Sequence, residues 1–217
     1  MEIKYFGHSS FFIKTKDGRL VTDPFDGEMV GFKYPKVEAD IVTVSHQHKD
    51  HNQTAQIGGN PLIIELPGEY EKNGIRIFGY SSYHDKQKGA QRGQNTLFKI
   101  EAEGVSILHC GDLGIVLEDS FIDQIGGVDV LLVPVGGLYT VDPSEAAELV
   151  KKFEPSFVIP MHYRTPKHSL SNFGGIAPVD DFIKKMGLSS VVPIPKLVVK
   201  SEGFEDEMKV IVLDVSR

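Results

Sequence analysis

Ile41-Val42-Thr43-Val44-Ser45 runs directly into His46-Gln47-His48-Lys49-Asp50-His51. The first segment is mostly β-branched and apolar, and reads as a β-strand covered on both faces. The hexapeptide after it holds three of the chain's eight histidines and one carboxylate. In extended backbone alternate side chains share a side, so His46 and His48 can grip one ion. Asp50 and His51 come where the chain should turn into a helix over residues 52–57, which aims them at a second position close by. The spacing therefore points to two metals. A solvated polar loop would use the same residue types, but a buried strand delivers this cluster to a fixed point, whereas His-rich surface tracts sit on disordered segments.

Outward from that stretch, apolar runs alternate with turn signals. Short strands are expected at 3–6, 11–14 and 20–22, with Asp17-Gly18 as a hairpin turn. Further strands are expected at 62–65, 75–80, 97–101, 105–109, 128–134 and 157–160. Several of these, such as Val130-Leu131-Leu132-Val133, are apolar without alternation and so should be covered on both faces. Asp142, Pro143 and Glu145 begin a helix in the manner of a capping box; Ala146, Leu149, Val150 and Phe153 follow at helical spacing, and Pro155 stops it. A second helix is expected from Pro178 to about Met186. A strand-rich opening followed by mixed strands and helices predicts one α/β domain over residues 1–217, with sheet inside and helices outside.

Composition is that of an ordinary globular protein: 217 residues, 41% hydrophobic and 24% charged. No apolar run reaches the length of a membrane span, and the opening Met1-Glu2-Ile3-Lys4-Tyr5-Phe6 lacks a signal peptide's apolar region. The single cysteine, Cys110, excludes an intrachain disulfide and reads as a small buried hydrophobe. The expected location is cytoplasmic. A formal charge of −7 gives no reason to expect avid nucleic-acid binding. A small molecule is the expected partner, with homo-oligomerisation left open. Basic residues nevertheless gather near the cluster's expected companions: Lys86, Lys88 and Arg92 after His84, and Arg164, Lys167 and His168 after His162.

Two ions need more donors than the hexapeptide holds, and metal-capable side chains do stand just past other apolar runs: His84, Asp112 and His162. Alone, His84 would read as a turn histidine, His162 as a core histidine and Asp112 as a turn cap. His109 sits within a strand and reads as packing or support; His8 and His168 are open between site lining and surface.

His-x-His-x-Asp-His at 46–51, then His84, Gly111-Asp112 and His162, resemble the ligand series of the metallo-β-lactamase superfamily of binuclear hydrolases. The likeness runs from Asp23 to His162. Val21-Thr22-Asp23-Pro24 is similar to that superfamily's first motif, whose aspartate supports a ligand without binding metal. Gly7-His8-Ser9, Ser82-Tyr83-His84-Asp85, Arg92-Gly93-Gln94-Asn95-Thr96 and Met161-His162-Tyr163 are similar to the lactonase-like branch that includes ascorbate-6-phosphate lactonase. Ile115 departs from that branch, which often has histidine soon after the Gly-Asp pair. The resemblance implies a four-layer αβ/βα sandwich with the site at one edge of the two sheets. It also implies that His46, His48 and His84 bind one metal, that Asp50, His51 and His162 bind the other, and that Asp112 bridges them.

Imidazole and carboxylate donors without thiolate suit zinc first, with Mn2+, Fe2+ and Ni2+ as the other candidates. Coordination lowers the pKa of bound water from about 15.7 to near 7. The expected chemistry is attack by a metal-bridging hydroxide on an ester or lactone of a small anionic metabolite, with Asp50 orienting the nucleophile and passing its proton to the leaving group. Asn95, Tyr139 and Tyr163 are candidate substrate contacts. Phosphodiester hydrolysis of nucleotides or RNA is the alternative that the same centre supports, though no long basic insertion is present to grip RNA. Of two further classes, an oxygen-reducing diiron protein would want a carboxylate where this chain has His84, and the full ligand series argues against a non-catalytic metal-binding module.

Overall fold

The computed structural model describes residues 1–202 and 207–216. In the first sheet β1 (Glu2–Gly7), β2 (Ser10–Lys14), β3 (Arg19–Thr22), β4 (Ile41–Thr43) and β5 (Leu62–Ile64) lie side by side in chain order. The second sheet holds β6 (Gly68–Lys72), β7 (Ile75–Tyr83), β8 (Gln94–Ala102), β9 (Val105–His109), β10 (Val130–Pro134) and β11 (Phe157–Met161). Two short late strands extend the edges, β12 (Leu197–Val198) beside β1 and β13 (Lys209–Val210) beside β11.

Register sorts the first sheet into two faces. Leu20 pairs with Ile41, and Ile41 with Leu62; one residue on, Val21 pairs with Val42 and Val42 with Ile63. Side chains alternate along extended backbone. Leu20 and Ile41 accordingly enter one buried cluster with Ile77, Phe98, Ile100 and Leu131 of the second sheet, while Val21 and Val42 face away from it. Each fully buried aliphatic or aromatic side chain in that shared layer contributes about 1.5–3 kcal/mol of transfer free energy.

Both outer faces are covered. Over the second sheet lies α3 (Pro143–Phe153), which buries Ala146, Leu149, Val150 and Phe153 and starts with a complete Asp142/Glu145 capping box. It packs on β10, on α2 (Asp119–Ile125) and on α5 (Val179–Lys185). The first sheet's outer face carries Phe25, Val30, Tyr34 and Phe173, from α1 (Gly27–Val30), α4 (Leu170–Phe173) and the segments beside them. The result is the four-layer sandwich with two mixed sheets. No helix among the described residues is long and apolar enough to cross a membrane.

Strand direction creates the functional edge. β1 and β3 are both antiparallel to β2, and β4 is parallel to β3. Likewise β7 and β9 flank β8 antiparallel, and β10 and β11 run parallel to β9. The carboxyl ends of β1, β3 and β4 thus face one way, as do those of β7, β9 and β11. The two sets meet, because Thr96 N–H donates to the Ser45 carbonyl at 2.9 Å and His162 N–H to the His8 carbonyl at 2.8 Å.

The expected helix at 52–57 is reduced to a single 3-10 turn, Thr54–Gln56. Only Ile57 of that segment is well buried. Without an apolar stripe there is nothing to hold a longer helix on the core, and Asn52 instead donates its side-chain amide back to the Gln47 carbonyl.

Candidate metal centre

Several polar side chains at this edge stand immediately past a strand's carboxyl end. His8 follows β1, Asp23 follows β3, His84 follows β7 and His162 follows β11, while Asp112 lies three residues beyond β9. The backbone there is tightly constrained: His8, Asp23 and His162 all have positive φ, at 55°, 38° and 52°. Such conformations cost of order 1–3 kcal/mol for residues other than glycine and persist only where surroundings hold them.

The seven expected donors converge. His46, His48 and His84 form one group whose candidate donor atoms lie within 4.8 Å of one another, and Asp50, His51 and His162 fall in a second such group together with His8. His46 Nε2 stands 3.0 Å from His48 Nδ1. Asp112 sits at the junction. Its Oδ2 is 3.2 Å from His162 Nε2, 3.3 Å from His84 Nε2, 3.4 Å from His51 Nε2 and 4.0 Å from His46 Nε2. Zinc holds nitrogen and oxygen ligands at about 2.0–2.2 Å, so tetrahedral neighbours are about 3.3 Å apart. His51 Nε2, His162 Nε2 and Asp112 Oδ1 are buried with no hydrogen-bond partner. Imidazole nitrogens and a carboxylate facing one another at ligand spacing, with several of these polar atoms left without a partner in the protein, fit divalent cations.

The charges agree. Burial opposes ionisation of Asp112, but His162 and His51 outweigh it and hold the carboxyl well below its ordinary range. Asp50 behaves likewise: burial works against it, and His51 and His8 prevail. Burial pushes the His46 and His84 imidazoles down, keeping them neutral with a lone pair available. His51 goes the other way; burial resists a proton, yet Asp112 and Asp50 hold its pKa well above the usual value. The centre of the cluster therefore favours positive charge.

Supporting contacts fix which ring nitrogen points inward. Asp23, fully buried, accepts from Ser45 N–H at 2.7 Å and from the Ser45 hydroxyl at 2.6 Å. It also accepts from His51 Nδ1 at 2.8 Å, so His51 presents Nε2 to the cluster. Having given its proton to Asp23, the Ser45 hydroxyl receives His46 Nδ1–H at 3.0 Å. His8 Nε2 meets Asp50 Oδ2 at 3.1 Å. Neither Ser45 nor the His8 contact with Asp50 is expressed in residue spacing; His8 stood open in the sequence between site lining and surface.

Two of the three expected substrate contacts are corrected. Asn95 is fully buried and uses both ends of its amide internally, donating to the Cys110 carbonyl and accepting Asp112 N–H, each at 2.9 Å. Its work is to hold the turn that presents Asp112. Gly111 makes that turn possible: at φ +53° a Cβ would lie 2.4 Å from Asn95 Oδ1. Tyr163 is buried against Tyr5, with ring centroids 6.2 Å apart, and does not line the cleft. Tyr139 does line it, in a cavity of about 530 Å³ with His48, Asp50, His84, Arg92 and Asp112. Of the basic residues expected nearby, Lys86 is paired with Glu145, the Arg164 guanidinium donates to the Gly174 carbonyl, and His168 turns inward onto Thr165. His109 is a support, its Nε2 2.8 Å from the Ser9 carbonyl, and Cys110 is buried. Ile115 packs against the core cluster.

Comparison with known proteins places this geometry. A family model described as the beta-lactamase superfamily domain matches residues 2–162. The chain is 28% identical over 192 residues to a UPF0173 metal-dependent hydrolase of Thermococcus onnurineus, covering 76% of this chain and 85% of that protein. A crystal structure from Thermotoga maritima, named as a candidate Zn-dependent hydrolase of the metallo-beta-lactamase superfamily, superposes with a TM-score of 0.79 at 38% identity, covering 98% of this chain and 97% of the other. A metallo hydrolase from Ignicoccus hospitalis shares the fold at 23% identity and a TM-score of 0.69, over 92% of this chain and 99% of its own. The chain belongs to the metallo-β-lactamase superfamily, among that fold's metal-dependent hydrolases.

Proposed function

We propose that the protein hydrolyses an ester or lactone of a small anionic metabolite at a binuclear centre, as in the lactonase-like branch of the superfamily. In this reading His46, His48 and His84 would hold one cation, Asp50, His51 and His162 would hold the other, and Asp112 would be shared between them. The observation that carries it is the position of Asp112 Oδ2, 3.2–3.4 Å from one nitrogen of the first set and two of the second. Divalent cations held there, zinc by donor preference, would supply hydroxide near neutral pH and a Lewis acid for the carbonyl oxygen. The protein's own part is to keep Asp50 and Asp112 ionised, to turn the correct imidazole nitrogens inward and to shape the cleft. Asp50, steadied by His8, orients the nucleophile and carries its proton to the departing oxygen. A cavity of about 530 Å³ suits a metabolite.

The test is metal analysis of purified protein, followed by panels of esters, lactones and phosphodiesters for wild type and Asp112→Asn. The expected result is two metals per chain, ester or lactone turnover, and loss of both metal and turnover in the variant. Turnover confined to phosphodiesters, or full retention of metal by the variant, overturns the assignment.

A further inference from the structure

Arg92 stands out among the charged residues of the cleft. Its guanidinium has no hydrogen-bond or carboxylate partner among the described residues, although it is half-buried. It lies 5.4 Å from the Tyr139 ring centroid, in the same cavity as His48, Asp50, His84 and Asp112. The stack accounts for its orientation and leaves its five N–H donors unspent. Lys49, likewise without an ion-pair partner among the described residues, also lines this cavity.

The segment carrying Arg92 is braced. The Asp85 carboxylate accepts four backbone N–H groups, from Gln87 at 2.8 Å, Gly89 at 3.1 Å, Gln91 at 2.9 Å and Arg92 itself at 2.7 Å. Tyr139 is anchored in turn, its hydroxyl donating to the Asn172 carbonyl at 3.0 Å. A cation set on a fixed aromatic face, beside a loop wound around a buried carboxylate, is preorganised before any ligand arrives. Among the described residues the carboxylates lining this cavity are Asp50 and Asp112, which the proposed function commits to metal.

We propose that Arg92, seated on Tyr139, is the specificity residue of the cleft: it binds an oxyanion, a carboxylate or phosphate, on the non-reacting end of the substrate. The proposal rests on the hydrolase reading above and adds where the substrate's charge sits. Arginine's planar fork matches both oxyanions bidentately, which a lysine at the same place cannot do. Lys49 then adds charge at the rim without fixing geometry.

The experiment uses zinc-loaded protein and two chromogenic esters of similar length, neutral 4-nitrophenyl butyrate and anionic mono-4-nitrophenyl succinate. Arg92→Ala is expected to raise KM for the succinate about tenfold or more and to leave kcat and the butyrate parameters within about twofold. Arg92→Lys should recover part of the loss. Succinate and glycerol 2-phosphate, used as competitive inhibitors of butyrate hydrolysis, distinguish the two oxyanions, the preferred one losing more affinity in Arg92→Ala. An equal loss on both esters marks a packing role and overturns the proposal, as does no change on either. If wild type cleaves neither ester, it is the ester half of the proposed function that fails. Calorimetric binding of succinate and glycerol 2-phosphate to the zinc-loaded protein then decides Arg92: weaker binding in Arg92→Ala supports the subsite, and equal or absent binding of both refutes it.

Discussion

Replacing Asp23 by asparagine removes one negative charge and one acceptor while keeping the shape of a fully buried side chain. In the native protein Oδ1 receives Ser45 N–H, and Oδ2 receives both the Ser45 hydroxyl and His51 Nδ1–H. With the amide oxygen toward Ser45 N–H, the amide nitrogen faces His51, and two donors oppose each other. His51 must then carry its proton on Nε2, the atom 3.4 Å from Asp112 and 3.7 Å from Asp50, which blocks the lone pair a metal would use. Hydrogen bonds to a charged acceptor contribute about 1.5–3 kcal/mol each. Loss of the His51 bond should therefore lower metal-free stability by about that amount. Supports of this kind typically govern metal affinity by about 10–100-fold, so one of two zinc equivalents should weaken by that factor. The other, next to His46, should change less, since the serine hydroxyl can turn. Chelator competition with zinc, together with urea unfolding of metal-free protein, reads both numbers. Two equivalents of wild-type affinity in Asp23→Asn, with an unmoved urea midpoint, would refute this account of how the ring is held.

Other outcomes follow from single contacts. A Cβ at Gly114 would stand 2.4–2.5 Å from the backbone of His84 and Asp85, so Gly114→Ala should displace His84, weaken the His46/His48/His84 metal position and cost about 1–3 kcal/mol, read by zinc stoichiometry and thermal unfolding. Asp142→Ala removes the cap of α3, which accepts from Ser144 and Glu145 N–H at 2.8 and 2.9 Å; about 1 kcal/mol of stability should be lost with zinc content unchanged, and a change in zinc content would show that the helix and the centre are coupled. Burial pushes His168 from the ordinary 6.5 down to about 3. The unfolded chain therefore takes up a proton that the folded one refuses as pH falls from 6.5 to about 3, and stability should decline by up to about 1.4 kcal/mol per pH unit across that window. His168→Asn, which can still accept Thr165 N–H, should flatten the acid limb of a stability-versus-pH curve of metal-free protein; an identical slope would exclude His168 as its source.

What could be read from the chain was whatever depends on local pattern. The strand at Ile41, the capped helix at Pro143 and the donor series from His46 to His162 are local signals: apolar runs, capping chemistry and metal-capable residues at strand ends. What could not be read depends on where distant segments land. The helix expected at residues 52–57 shrank to one turn because no apolar face held it. Asn95 and Tyr163 stand beside motif residues in sequence yet do not line the cavity that holds Tyr139, one claimed by Cys110 and Asp112, the other by Tyr5. Ser45 looked like the end of a strand, and only the fold shows its hydroxyl linking Asp23 to His46. Arg92 was one of several nearby cations, and only the structure separates it from Lys86 and Arg164, which are already engaged.

The residues at the functional edge come from both sheets: His8, Asp23 and the 46–51 segment from the first, and His84, Asp112 and His162 from the second. Cations gathered there would rivet the two halves of the sandwich along one rim. A ligand that binds only the folded state adds about 2.7 kcal/mol at a hundred times its dissociation constant, and here that gain would be concentrated at a seam. Stripping the metal should accordingly fray this rim first, with amide exchange quickening around residues 43–46 and 110–113, while the opposite rim, where Arg19 pairs with Lys14 and Ala102 with Val105, stays shut.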